Sequence, residues 1–159
     1  MIRVEVNNFQ RKYTVGNESI LVDLISQALK VCGLNSMVTK EASIVFNLVN
    51  SPRMSQVNRD FLNHVGTTDV ITFSYLDELT DGLEPEPVVA EIFICLDVAK
   101  KAAKKFKTSF TQEVILYIVH GILHVCGYDD HEQEDIVAMR AAEKTVLKKL
   151  KDIDKLHIN

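Results

Sequence analysis

The stretch that decides the fold is Val114–His131, VILYIVHGILHVCGYDDH. From Val114 to Val125 nearly every side chain is apolar on all sides of a helical projection, which marks a buried helix. Two imidazoles, His120 and His124, interrupt it at i and i+4, one turn apart on a single face. Gly127 offers a C-terminal break, because glycine enters the left-handed conformation that ends helices. Tyr128, Asp129, Asp130 and His131 follow at once, so the chain can fold back toward the two histidines. Two ring nitrogens on a stiff helix, with a third ligand from the adjoining loop, make a three-ligand zinc site. An HxxxH alone is also how two hydrogen-bonded core histidines look. The glycine break followed by an Asp/His cluster tips the reading toward a metal. A peptidase of the HExxH type needs Glu directly after its first His, and here that position is Gly121, which disfavours peptide hydrolysis.

The rest of the chain reads as a frame for this helix. Residues 2–9 alternate apolar and polar, the period of a half-buried strand, and residues 18–31 repeat apolar side chains at helical spacing behind a cap at Asn17 or Ser19. SIVFNLV (43–49) predicts a second strand, and Ser51-Pro52 opens a helix running to about Leu62. DVITFSYL (69–76) and VAEIFICL (89–96) predict two further strands, antiparallel because no helix separates them. The acidic, Pro-containing segment 77–88 between them reads as a surface excursion. Helices are expected over about 97–106, 110–126 and 131–150, and the terminal KDIDKLHIN (151–159) is expected to fray. The expectation is a single α+β domain over 1–159. It is a small mixed four-stranded sheet packed with about five helices, with a zincin-like HxxxH helix at its centre.

Composition bounds the function. With 47% hydrophobic residues the chain can build a substantial core, and no apolar run reaches membrane-spanning length. Nor does a signal segment precede the first strand, so the expected location is the cytoplasm. A net charge of −4 argues against a general nucleic-acid coat and leaves only local basic patches for such a role. The clearest patch is KKAAKKFK, where Lys100, Lys101, Lys104 and Lys105 share a helix face beside Lys107. Cys32, Cys95 and Cys126 are widely spaced in apolar surroundings and read as reduced, buried thiols. His64 and His157 read as surface residues.

HGILHVCGYD (120–129) resembles the signature of the YbeY family of bacterial metal-dependent endoribonucleases, HGxLHLxGYDH. NRDFLNHVGTTDVITF (58–73) is similar to the family's second signature, matching at Asn58, Phe61, Thr68, Asp69, Val70, Ile71, Thr72 and Phe73. AEIFI (90–94) is similar to its Gly-Asp-Ile strand. The resemblance implies one zinc ion and single-stranded RNA as substrate. It also implies a role with the ribosome, in maturing the 3′ end of the small-subunit ribosomal RNA and in ribosome quality control.

Two departures from the family pattern matter. The family's third His falls six residues after the second, and that position here is Asp130, with His131 one residue further on. Either the register is unchanged and Asp130 ligates, the simpler case, or the loop has gained a residue and His131 ligates; zinc accepts both donors. The family's arginine position is Leu62, so Arg59, one turn back on the helix, is the candidate phosphate contact. Asp129 is a candidate proton acceptor. Two rival readings are a metallohydrolase of other substrates and a ribosome-associated binding factor in which zinc is purely structural. In the second, Asp130 and His131 would both bind and close the site.

Overall fold

The computed structural model describes residues 1–79 and 86–159, so the centre of the acidic excursion, 80–85, lies outside the described residues. Strands β1 (Ile2–Asn8), β2 (Ala42–Val49), β3 (Val70–Ser74) and β4 (Val88–Cys95) form one sheet in the order β1-β2-β4-β3. β1 and β4 run parallel to β2, and β3 pairs antiparallel with β4, as the helix-free connection predicts. The helices are α1 (Glu18–Val31), α2 (Leu34–Met37), α3 (Ser51–Leu62), α4 (Leu96–Phe106), α5 (Phe110–Val125) and α6 (Gln133–Lys149). The four-residue α2, too short for a periodic signal, is the one helix the sequence reading lacks.

Local chemistry sets the helix boundaries. Asn17 caps α1 and Asn50 caps α3, whose first turn holds Pro52 where a missing N–H costs nothing. α5 begins with a reciprocal capping box: Ser109 Oγ accepts the Gln112 N–H, and Gln112 Oε1 accepts the Ser109 N–H, each at 3.0 Å. It ends at Cys126, and Gly127 follows at φ +99°, the left-handed region only glycine enters freely.

The sheet has two unlike faces. On one, Ile44, Phe46, Ile92 and Ile94 meet α1 and α5 in the main core. On the other, Ile71, Phe93 and Cys95 pack beneath α3 with Met54 and Val57. α5 approaches the sheet most closely at Gly121, where even a methyl group would stand 2.7 Å from Ile92 Cγ2. Any side chain at that position, glutamate included, requires Ile92 to shift.

The C-terminal tail corrects the expectation that 151–159 frays. Leu156 and Ile158 are buried, Ile158 bridges Val15, and Thr14 exchanges two backbone hydrogen bonds with Asn159. Two alternating apolar residues are enough to dock the end of the chain through an isolated antiparallel bridge.

Asp97 ties three segments together beside the sheet. Its Oδ1 accepts from Lys12 Nζ and from the Tyr13 hydroxyl, both at 2.8 Å, and its Oδ2 accepts the Ser51 N–H at 2.8 Å. Burial alone would raise its pKa, but the hydrogen bonds from Lys12, Ser51 and Tyr13 outweigh it and hold the carboxyl at about 2. A folded-state pKa below the unfolded value stabilises the fold above the unfolded pKa, and the contribution fades as pH falls toward 2. Asp97→Asn is therefore expected to cost about 2 kcal/mol at neutral pH. It should also flatten the acid side of the stability profile between about pH 4 and pH 2, read from urea midpoints.

Candidate metal centre

His120 and His124 leave the buried stripe of α5 at the foot of a cleft of about 710 Å³. β3 and the preceding loop wall it on one side, α3 adds Asn58 and Leu62, and α6 adds Arg140 and Glu143. The two Nε2 atoms stand 2.9 Å apart, and Asp130 Oδ2 lies 3.4 Å from the first and 3.5 Å from the second.

The far side of each ring decides what these atoms are. His120 Nδ1 lies 2.7 Å from Oε1 of buried Glu143, and His124 Nδ1 lies 3.0 Å from the Tyr128 carbonyl oxygen. Both partners are acceptors, so each ring donates its proton there and turns a bare lone pair inward. With the protons placed on Nδ1, two nitrogens and a carboxylate oxygen turn lone pairs toward one another. That arrangement is repulsive unless a cation joins it. Nitrogen and oxygen donors at this spacing, held by outer hydrogen bonds to a carboxylate and a carbonyl, fit a divalent metal ion of the zinc kind.

The four residues read as possible ligands separate in space. His120, His124 and Asp130 form one group of converging donor atoms. His131 stands at the rim, with its side chain 82% exposed and its Nε2 3.5 Å from Asp129 Oδ1; it shares a second, more exposed group with Asp129 and Asp130. Asp129 itself is outside the cleft lining, and its Oδ1 accepts the Asp130 N–H at 2.7 Å, shaping the loop that presents Asp130. Cys126 turns away toward the Cys32 carbonyl, and burial pushes its thiol up to about 11.

Arg59 is also not brought to the cleft. On α3 it is Asn58 and Leu62, i and i+4, that face it, and Arg59 lies a third of a turn round, exposed and beside Asp60 at 3.6 Å. The lysines of α4 likewise stay outside the lining; Lys100 lies over the Phe110 ring and Lys105 over Phe106.

The cleft contains groups that sequence reasoning passed over. Arg140 reaches it with Nη1 3.3 Å from Glu143 Oε2, and exposed His64 lines it too. Asp69 lies on the facing wall, where its Oδ1 accepts the Val70 N–H at 2.8 Å. Burial, and then the charges of Asp69 and Glu113, push the Tyr117 phenol well above its ordinary range, so it stays a neutral hydroxyl. Thr72 Oγ1, on the same wall, is buried without a hydrogen-bond partner among the described residues. Glu143 did leave a signal: it sits four residues after Met139 and three before Val146, a lone carboxylate within the apolar stripe of α6. A charge in a buried stripe has a partner.

Fold and site together define an α+β protein with a candidate metal centre on a buried HxxxH helix. The family model described as Endoribonuclease YbeY matches residues 5–151, and the chain belongs to that family. The Endoribonuclease YbeY of Carboxydothermus hydrogenoformans is 31% identical over 146 residues, covering 92% of this chain and 96% of that protein. Its namesake from Staphylococcus carnosus is 34% identical over 112 residues, 69% of this chain and 73% of that one. The solution structure of Thermotoga maritima TM1509 shares the fold, with a TM-score of 0.59 over 94% of this chain and 88% of its own at 23% identity.

Glu143 positions His120 without touching the metal position. Glu143→Ala is expected to weaken zinc binding roughly 10- to 100-fold, measured by competition with a chromophoric chelator, while Glu143→Gln, which can still accept from Nδ1, loses less.

Proposed function

We propose that the chain is a zinc-dependent endoribonuclease that cuts single-stranded RNA. We assign its work to ribosomal RNA in the cytoplasm, in maturing the 3′ end of the small-subunit RNA and in ribosome quality control. The observation that carries this reading is the convergence of His120 Nε2, His124 Nε2 and Asp130 Oδ2 at the foot of an open cleft. Family membership supplies the substrate class. His120, His124 and Asp130 would hold the zinc, which when bound would supply Lewis-acid activation of water and of a phosphoryl oxygen.

The chain's own residues do the rest. Arg140 keeps Nη1 against Glu143 and has the remaining donors of its guanidinium to offer a phosphate. Lys144 and Lys148 continue its stripe at i+4 and i+8 along α6, lining the groove next to the cleft. In this reading they take the place that Arg59 and the α4 lysines hold in the sequence reading. Tyr117, held neutral, donates a hydrogen bond to an oxyanion. Asp69 is the carboxylate on the facing wall that accepts a proton, in place of Asp129.

A structural-zinc reading needs a fourth protein donor, and His131 points out of the group toward Asp129, which supports an open centre instead. The rival reading, a metallohydrolase of peptides or small molecules, takes its base from elsewhere in the fold because Gly121 supplies none, and turnover of a peptide library would support it.

Metal content and cleavage of a single-stranded RNA, measured together, test the proposal. His120→Ala and Asp130→Ala should each lose zinc and at least about a hundredfold in cleavage, as expected when a metal-bound nucleophile is lost, while His131→Ala keeps both. Loss of metal in His131→Ala but not in Asp130→Ala would reverse the ligand assignment. Cleavage that survives removal of the metal would end the metalloenzyme reading.

A further inference from the structure

The back of the sheet carries a second pocket, of about 280 Å³, that the metal centre does not use. Phe61, Phe73 and Phe93 form its aromatic wall as two edge-to-face steps, with ring centroids 5.5 Å and 6.0 Å apart. Phe61 is 68% exposed, although the step against Phe73 fixes its ring. The polar side chains are Arg53, Gln56 and Asp60 on α3, Glu91 on β4, and Tyr75 just after β3. Glu91 Oε1 accepts from Asn47 Nδ2 at 2.7 Å, and a carboxylate with about four acceptor positions keeps capacity beyond that one bond.

The pocket adjoins the metal cleft across a single helix. On α3, Asn58 and Leu62 line the cleft, while Val57 and Phe61 line the pocket. The C-terminal end of α3 exposes Leu62 (40%) and, just beyond it, Val65 (99%), alongside Arg59, Asp60, Asn63 and His64. A ring held by its neighbour, with a carboxylate and a guanidinium beside it, is poorly matched to an aliphatic ligand and well matched to a flat heterocycle with hydrogen-bonding edges.

We propose that this pocket binds one nucleobase of the RNA strand whose backbone lies in the metal cleft. The strand crosses the C-terminal end of α3, and the base stacks on Phe61. Glu91 accepts from an exocyclic amino group, so adenine, guanine or cytosine is preferred to uracil. The proposal rests on the endoribonuclease reading for the identity of the strand.

The test is binding of a 2′-O-methyl oligonucleotide, long enough for one strand-binding site at about ten nucleotides, to the full chain in the presence of a metal chelator, so that no strand is cut during the measurement. Each base in turn is deleted to an abasic residue. Phe61→Ala should weaken binding roughly 5- to 100-fold. At one position the abasic strand should lose the same factor, with no further loss when both changes are combined. Phe61→Trp should retain affinity, Phe61→Leu should not, and Glu91→Gln should erase the preference over uracil at that position. Unchanged affinity in Phe61→Ala, or losses that simply add at every position, would overturn the pocket. Cleavage by the wild type is scored separately. A chain that binds the base but never cuts leaves the pocket standing and removes the nuclease reading. A chain that cuts with Phe61 dispensable does the reverse.

Discussion

Three electron pairs aimed at one point are the constraint on which the rest depends. His120, His124 and Asp130 converge because Glu143 and the Tyr128 carbonyl hold the outer ring nitrogens as donors. Left alone, such a cluster repels itself and would be relieved by a ring flip or by a proton. A divalent cation would relieve that repulsion, because half-buried donors, fixed tautomers and charge neutralisation would all favour the same state. The remainder of the structure keeps those three atoms from relaxing.

Each layer of the fold contributes to that restraint. Apolar packing on all sides fixes the rotation of α5, and the close approach of Gly121 to Ile92 sets its depth on the sheet. Gly127 reverses the chain within a residue of the helix end, and Asp129, by accepting the Asp130 N–H, shapes the loop that returns Asp130 to the histidines. α6 brings in Glu143 from a different part of the sequence and, one turn earlier, Arg140. The same helix therefore orients a ligand and carries a cation at the cleft wall.

How much of this was legible in the sequence depends on range. The HxxxH pair, the glycine break, the four strands and the antiparallel β3–β4 pair are local or periodic features, and the structure agrees with them. Which loop residue faces the histidines was left open by spacing alone, because Asp130 and His131 are adjacent and either donor suits zinc. The turn geometry separates them, placing His131 at the rim. Arg59 lies outside the cleft lining for a similar reason. One turn on a helix is a coarse unit, and the cleft follows the line from Asn58 to Leu62, which Arg59 misses. Glu143 shows in the sequence only as a lone carboxylate in the apolar stripe of α6, and neither its partner His120 nor the place of Arg140 is fixed until α6 folds across α5. The docked tail was missed because Leu156 and Ile158 are too few to register as a strand without Val15 opposite them.

The most direct test of the central claim is nitrogen-15 NMR of the histidine side chains, with and without one equivalent of zinc. The expected result is that, once zinc is added, His120 and His124 carry their protons on Nδ1 and their Nε2 signals move, while the His131 signals do not respond to zinc. Protons found on Nε2 of His120 or His124 in the zinc-loaded protein, or a zinc-dependent shift confined to His131, would contradict the account.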